Sequence, residues 1–561
     1  MSSLRFHLAY KNFRRLRTIV TVLTRHGFRP LLERLRLTGI LTLPQRILGG
    51  KAARRELDLT TAERARRALE ELGPTFIKFG QIISTRPDII PQDFIVELLK
   101  LQDSVAPIPF SEVVSVVEAE FKRPVREIFL KIDEEPMAAA SIAQVHRATT
   151  LSGEEVVVKV QRPNIEETID TDITILGYIA RLAVKYIPES RLYDPEGMVE
   201  EFSRTIKKEM DFTLEASYTE RFRQNFADDA RVTVPRVYWE LTGRNVLTME
   251  RIHGIKIDRT EKLKEAGIDT EKLAHLVVDI FFKQVFDFGL FHGDLHSGNI
   301  FVISDEKLAL VDFGIVGRID SAMKQYLADI LISFVKGDFE GLTKVYQKMG
   351  ILPESIDRAA FEREYYDIML HYFGRPFKSV RIGELLMDYI RLAARHNIML
   401  PRDLLLFDKC ILELEGLSRL LFPDVNILKE SEPYAAKLYL ERMSPKAFVD
   451  DAVSVVSDYH ELLHNLPGQT GDILKKILDD KLRIEFMHKG LEDFMGEMDR
   501  SSNRLTFGII VAALVIGSSL VISSETAPMI GGYAALGVIG FLIASFLGFW
   551  LALQILKSGK F

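Results

Sequence analysis

The octapeptide His292-Gly293-Asp294-Leu295-His296-Ser297-Gly298-Asn299, followed by Asp312-Phe313-Gly314, constrains this chain more than any other stretch. Asn299 opens the apolar run Ile300 to Ile303, and Leu308 to Val311 is a second. Ser304-Asp305-Glu306-Lys307 lies between them as a polar turn, so the pattern predicts a short hairpin. That hairpin brings Asn299, ahead of its first strand, and Asp312, after its second, close enough to share one divalent cation through oxygens about 2.0 to 2.1 Å away. Asp294 then falls where phosphoryl transfer from ATP needs a carboxylate beside the accepting hydroxyl, with Asn299 and Asp312 holding Mg²⁺ against the phosphates. A chance acidic turn would require two spaced motifs to coincide with this secondary structure.

The 561 residues are 47% hydrophobic and 27% charged, enough for at least one large core and long enough for two or more domains. The single cysteine, Cys410, rules out an internal disulfide and any multi-cysteine metal site; its helical apolar surroundings predict a small buried hydrophobe. Charge is uneven. The first 55 residues carry thirteen Lys and Arg against one acid, Glu33, while the whole chain is at −6. Arg5, Lys11, Arg14, Arg15, Arg17 and Arg25 are interleaved with Leu4, Phe6, Leu8, Phe13, Leu16, Ile19 and Val20. That pattern suits an anionic bilayer, a cleaved transit peptide or a solvated basic arm. Nucleic acid is disfavoured because no binding fold accompanies the charge.

At the other end, 20 uncharged residues separate Arg504 from Glu525 and 31 separate Glu525 from Lys557, each run enough to cross a hydrocarbon core of about 30 Å as a helix. Arg500 and Arg504 precede the first span, Lys557 and Lys560 follow the second, and the connector Ser523 to Pro528 has no positive charge, so both ends are expected to face the cytoplasm. Small residues at Ala513 and Gly517, and at Gly540, Ala544 and Gly548, would permit close helix contact.

Between these ends, Thr60 with Glu63 marks a capping box, and Thr61 to Ser84 reads as helix broken at Gly73-Pro74. From Val125 the period changes to strands: Phe129 to Ile132, Ile142 to Thr150, and Val156 to Val160 carrying Lys159. Lying upstream of Asp294, Lys159 is the candidate to clasp the α and β phosphates. Glu200 to Gln224 reads as a helix bearing Glu209, Asp211 and Glu215, one of which should neutralise Lys159. Since Glu209 and Asp211 cannot share a helical face, they serve different partners or the helix breaks between them. Strands resume at Val237 and at Asn245 to Ile252, and position alone makes Thr248 to Ile252 the connector that meets adenine, through Glu250 and Ile252. Beyond Ile319 the chain is helical by periodicity, with breaks near Leu352-Pro353, Leu400-Pro401 and Leu466-Pro467-Gly468. Strands followed by helices predict an α+β, bilobal fold with a cleft between the lobes. The expected divisions are a basic membrane-proximal arm over 1–55, a helical extension over 56–123, an N-lobe over 124–252, a helical C-lobe over 253–500 and a transmembrane hairpin over 505–556.

Lys78-Phe79-Gly80-Gln81, Ala138 to Ser141, Val156 to Lys159, the acidic run from Glu209, and the Asp294 and Asp312 motifs together resemble the UbiB family of atypical protein-kinase-like proteins, also called AarF or ADCK. The match runs from about Thr60 to the end of the chain. The paired C-terminal spans look like the bacterial branch, which favours membrane adsorption of the basic arm. The resemblance implies a kinase-like fold in which Lys159 binds nucleotide with Glu215 as its helix partner, Asp294 is the catalytic-loop aspartate, and Asn299 and Asp312 hold metal. It further implies that Lys78 and Gln81 fold across the cleft as regulatory residues, Lys78 meeting Glu209 and Asp211. ATP or ADP with Mg²⁺, quinone intermediates, membrane lipid and quinone-biosynthesis enzymes are the implied ligands and partners, at a bacterial inner membrane with the kinase-like part cytoplasmic.

Two departures from ordinary protein kinases stand out. The phosphate-covering loop has Ala138, Ala139 and Ala140, followed by Ser141, where glycines are usual; alanines still offer amides but resist positive φ. Asp312-Phe313-Gly314 also runs directly into a helix that Asp320 or Ser321 can cap, with no Ala-Pro-Glu segment to dock a peptide. The expected function is an ATPase or unorthodox kinase supporting isoprenoid quinone synthesis. The alternatives are a small-molecule kinase of the aminoglycoside or choline kinase type, and a non-catalytic scaffold switched by nucleotide.

Overall fold

The basic amino-terminal stretch becomes a helix in the computed structural model, α1 (Ser2–Arg25), and its second half is built into the protein. The structure describes residues 2–40, 59–84, 90–98, 100, 101, 106–336, 338–352, 356–372, 381–396, 398, 400–442, 491–522, 528–530 and 533–557. Helices α2 (Thr61–Leu72), α3 (Pro74–Ser84), α4 (Phe110–Phe121), α5 (Ile165–Tyr186), α6 (Pro195–Glu209) and α7 (Phe212–Asn225) follow. Ile19 and Val20 are wholly buried: Ile19 packs in one core with Leu72, Phe76 and Ile169, and Val20 in another with Leu32 and Leu35. Arg15 forks onto the fully buried Asp172 of α5, with Nε 2.7 Å from Oδ1 and Nη2 2.9 Å from Oδ2, and Nη2 also donates to the Leu72 carbonyl. This corrects the expectation for Arg15, Ile19 and Val20. Burial against protein withdraws the two aliphatic side chains from any bilayer, and the arginine is committed to an internal carboxylate.

The capping box forms, with Glu63 N donating to Thr60 Oγ1 and Thr60 N to Glu63 Oε2. Gly73, at φ +96°, supplies the turn before Pro74. The single helix expected from Glu200 to Gln224 is instead α6 and α7. Asp211 takes an extended conformation and its Oδ1 accepts from Thr213 N at 3.1 Å, ending one helix and capping the next.

Period-two runs rich in valine form an antiparallel sheet of β1 (Phe129–Ile132), β2 (Ala138–Ala139), β3 (Ala143–Thr150), β4 (Glu155–Gln161) and β6 (Val246–Glu250), ordered β1-β3-β4-β6 with β2 on β3. Val156, Val158 and Val160 are buried against Val113 and Val117 of α4, so alternation sends Lys159 to the opposite face. The strand expected to reach Ile252 stops at Glu250, and Val237 contributes only an isolated bridge to Met249.

A second sheet orders β5 (Val232–Thr233), β10 (Lys307–Leu310), β9 (Ile300–Ser304) and β7 (Ile255–Lys256), and β8 (Leu290–His292) pairs separately with β11 (Val316–Arg318). β9 and β10 are the hairpin between the two motifs. These strands lie in one large core with α8 (Thr270–Lys283), α9 (Ser321–Lys336), α10 (Ile382–Arg395), α11 (Arg402–Leu421) and α12 (Ile427–Arg442). Asp320 Oδ1 accepts from Met323 N and starts α9. Pro401 precedes α11. Pro353 and the break expected at Leu466-Pro467-Gly468 lie outside the described residues.

Residues 449–561 form a separate compact unit. In it α13 (Leu491–Ile522) and α14 (Ala535–Lys557) run antiparallel, bringing Gly537 to Ile522, Gly540 to Ser518 and Gly548 to Val511. Ser501–Ile522 and Ala535–Leu553 are long and apolar enough to cross a membrane, and Ile516, Leu520, Leu536 and Phe546 are exposed on them. The small-residue expectation holds on one helix only. Gly540, Ala544 and Gly548 face the partner, but Gly517 has nothing near it and Ala513 is exposed, because the contacting face of α13 runs through Val511 and Ser518. The connector residues 523–527 lie outside the described residues.

Candidate active site

Lys159 reaches from β4 to the buried Glu215 on α7, its Nζ lying 2.9 Å from both carboxylate oxygens. It also lies 3.5 Å from each oxygen of Asp312 and 5.5 Å from the Phe212 ring centroid. Burial works against the charge on Lys159, but Asp312 and Glu215 overcome it and hold the ammonium above its ordinary value. Burial pushes the Glu215 carboxyl up to about 7, against the pull of Lys159. Asp312 shows the reverse balance: burial is outweighed by the charges of Lys159 and Lys78, which bring it down to about 2. Asp312 also sits at φ +61°, a left-handed backbone that Asp tolerates better than most side chains, and its Oδ1 accepts from Gly314 N.

The catalytic-loop segment is braced from inside. His292 is fully buried; its Nε2 donates to the Val311 carbonyl at 3.0 Å and its Nδ1 accepts from Asp294 N at 3.1 Å, a pairing that calls for the neutral imidazole. Burial lowers its pKa accordingly. The ring packs against Phe313 of the second motif, which stacks on Phe222 of α7 at 4.5 Å. Asn299 Nδ2 donates to the Asp294 carbonyl at 3.0 Å, tying the two ends of the loop together. A Cβ on Gly293 would lie 2.8 Å from Ile315 and 3.0 Å from Leu406, so the loop passes where only glycine fits.

The sequence reading missed the closest partner of Asp294. Lys409 on α11 places Nζ 2.8 Å from Asp294 Oδ1 and 3.3 Å from Glu413, while His296 Nε2 lies 3.4 Å from Asp294 Oδ2. Burial raises Asp294, yet Lys409 and His296 outweigh it and hold the carboxyl below its ordinary value. Cys410, adjacent to Lys409, is buried and its thiol donates to the His292 carbonyl. The only signal in the chain was the acid and base spacing Lys409 and Glu413 on a helix; nothing local tied it to Asp294.

The extension enters the site through Lys78, whose Nζ is 2.5 Å from Glu209 Oε1 and whose charge is felt by Asp312. Gln81 Nε2 donates to the Leu101 carbonyl, and Asp211 Oδ1 serves as the α7 cap. The alanine loop departs from expectation. Ala138 and Ala139 are paired in β2, Ala140 gives its amide to the Ala143 carbonyl and its carbonyl to Arg162, and Ser141 is fully buried. The amide of Ala140 is thus committed within the hairpin, and the Ser141 hydroxyl is enclosed without a hydrogen-bond partner among the described residues. Glu250 ends β6 with its amide on the Arg236 carbonyl, and Ile252 follows in the loop.

The donor set suits magnesium. Asp312 is an ionised carboxylate, and Asn299, having committed Nδ2 to the loop, keeps its amide oxygen for a cation. Among the described residues no three His, Cys, Asp or Glu side chains cluster as a metal cage, so phosphate oxygens would complete the coordination.

Comparisons with known proteins place the chain in a family. Residues 100–346 match the ABC1 atypical kinase-like domain, 365–426 the UbiB helical domain and 489–557 the ABC1/UbiB kinase-like C-terminal domain. A probable protein kinase UbiB of Pseudomonas aeruginosa is 39% identical over 77% of this chain and 83% of its own length; its counterpart in Marinobacter nauticus is 35% identical over 83% and 86%. An uncharacterized protein of the hydrogenase 1 5' region of Clostridium pasteurianum is 31% identical over 89% and 93%. A solved Mycobacterium tuberculosis protein in complex with erythromycin is 24% identical with a TM-score of 0.48, over 68% of this chain and 97% of that one. With three matching domains and relatives of this identity spanning most of its length, the chain belongs to the UbiB family of atypical kinase-like proteins.

Proposed function

We propose that the protein is a membrane-anchored ATPase or unorthodox kinase that uses Mg-ATP in the cleft between its lobes to support isoprenoid quinone synthesis, acting on or presenting lipid intermediates. The carrying observation is Lys159, held between Glu215 and Asp312 with Nζ only 3.5 Å from each Asp312 oxygen. Glu215 fixes the ammonium where a phosphate oxygen can approach it. Magnesium, held by Asn299 and Asp312, would supply positive charge to offset that of the transferred phosphoryl group. Asp294 orients the acceptor, and His292 keeps the loop's backbone in register through Val311 and Asp294.

The acceptor side favours water or a small lipid over a peptide. Lys409 already occupies Asp294 Oδ1, Lys78 and Glu209 fill part of the cleft, and β11 leads into α9 with no long segment for peptide docking. The sum of two apolar helices and a basic carboxyl end supports anchoring in the bacterial inner membrane with the kinase-like part in the cytoplasm. Quinone-biosynthesis enzymes are the proposed partners.

ATP turnover with and without liposomes and phenolic quinone precursors tests this reading. Turnover that depends on magnesium and is lost in Asp312→Asn supports it. Equal, undetectable turnover by wild type and Asp312→Asn in every condition, together with an unchanged quinone profile in a deletion strain, would remove it.

A further inference from the structure

Lys409 of α11 stands between two carboxylates. Its Nζ lies 2.8 Å from Asp294 Oδ1 and 3.3 Å from Oε1 of Glu413, which is one turn further along the same helix. The two acids differ in what else they touch. Asp294 Oδ2 has His296 Nε2 at 3.4 Å, whereas Glu413 Oε2 is buried and has no hydrogen-bond partner among the described residues. Leaving a buried carboxylate oxygen unsatisfied costs stability, so a native protein rarely keeps one without a use.

The helix that carries this pair is held firmly, with Phe407, Cys410, Ile411 and Leu414 buried in the large core. Residues four apart share a helical face, so the ammonium can pass from one carboxylate to the other by torsion of its flexible four-carbon stem alone. Charge also favours two seats. Burial and Asp294 raise the Glu413 carboxyl against the pull of Lys409, so an ammonium drawn nearer would stabilise the ionised form. In the opposite sense, Lys409 helps to hold Asp294 below its ordinary value and leaves it a weaker base.

Given the acceptor role proposed for Asp294, we propose that Lys409 is a positioning residue with two seats: Asp294 in the free protein, and Glu413 while Asp294 takes the hydrogen bond of the acceptor. Leaving Asp294 clears Oδ1 and restores the basicity of the carboxylate in one movement. Reaching Glu413 gives its free oxygen a partner. Acceptor entry is thereby coupled to activation of the group that receives it.

A crystal structure of full-length Asp294→Asn tests the second seat without any turnover. Removing the charge at position 294 should release Lys409 and bring Nζ to about 3 Å from Glu413 Oε2. An ammonium still seated at position 294 overturns the proposal. A double-mutant cycle on magnesium-dependent ATP turnover in liposomes tests the role, with Mg-ATP affinity followed by calorimetry. Glu413→Gln should lower turnover about tenfold, the scale of one charge-assisted hydrogen bond, at unchanged affinity. In a Lys409→Met background the same change should cost less than about twofold, since no ammonium is left to be received. Equal losses in the two backgrounds overturn the two-seat role and leave the proposed function standing. Turnover identical in wild type and Asp312→Asn removes the proposed function, and the two-seat role with it. The Asp294→Asn structure decides the matter even if Glu413→Gln fails to fold.

Discussion

Lys159 and Lys409 each hold an aspartate of the same cleft, and they hold it differently. Lys159 is fixed by Glu215 at 2.9 Å and touches Asp312 only at 3.5 Å, leaving that carboxylate room for a further cation. Lys409 sits 2.8 Å from Asp294 Oδ1. Under the proposed function the Lys159 end is open to a further cation, and the Lys409 end is closed by a contact that would have to loosen before a hydroxyl could be engaged. The contrast also separates two kinds of information. The Lys159 pair joins recognisable motifs, while the Lys409 pair joins a motif to an unremarkable helix.

The sharpest break of this comparison is Asp312→Asn. Removing the carboxylate should cut magnesium-dependent ATP turnover by about 10² to 10³, and calorimetry should find nucleotide affinity no longer responsive to EDTA. Affinity that still responds to EDTA would show that Asp312 does not hold the metal. Lys159→Met comes next and is read as stability. Without its ammonium, Glu215 keeps its proton in the folded state well above the ordinary carboxylate value. Glu215 already titrates at about 7 with Lys159 present, so losing the ammonium carries it higher still, and the loss of stability relative to wild type should grow as pH rises above about 7. Urea melts at pH 5 and pH 8 measure it; a larger deficit at pH 5 would contradict the buried-pair account.

Lys409→Met tests the other lysine. Because Lys409 and His296 hold Asp294 below its ordinary value, removing Lys409 lets burial raise it, and the acid limb of the turnover profile should move to higher pH. A profile superimposable on that of wild type would show that the contact does not bear on the chemistry. The smallest change is expected from Lys78→Ala, which removes the ion pair to Glu209. Turnover or self-phosphorylation should rise roughly threefold, the scale of one partly exposed ion pair. A fall would make Lys78 part of the machinery instead of a lid.

Much of this site was legible because motif and secondary structure coincide. The hairpin of β9 and β10, read from two apolar runs and a polar turn, sets Asn299 and Asp312 at its open end. Valine alternation placed Lys159 opposite the buried face of β4. Other parts were not legible. Ala140 and Ser141 looked like a phosphate loop, but the tight hairpin takes one amide and buries the other residue, a consequence of register that composition does not carry. Arg15, Ile19 and Val20 looked like a membrane arm; an amphipathic helix docks as well on protein as on lipid, and only the presence of Asp172 and the α5 core distinguishes the two.

By itself the sequence determined most of the order of elements, the oxygen side chains of the candidate metal site, the candidate nucleotide lysine and two helices able to cross a membrane, because those depend on short-range period and spacing. Tertiary structure decided which carboxylate Lys159 meets and that Lys409 reaches Asp294 across 115 residues. Charges distant along the chain interact through space, and a buried group takes its chemistry from whatever the fold packs against it.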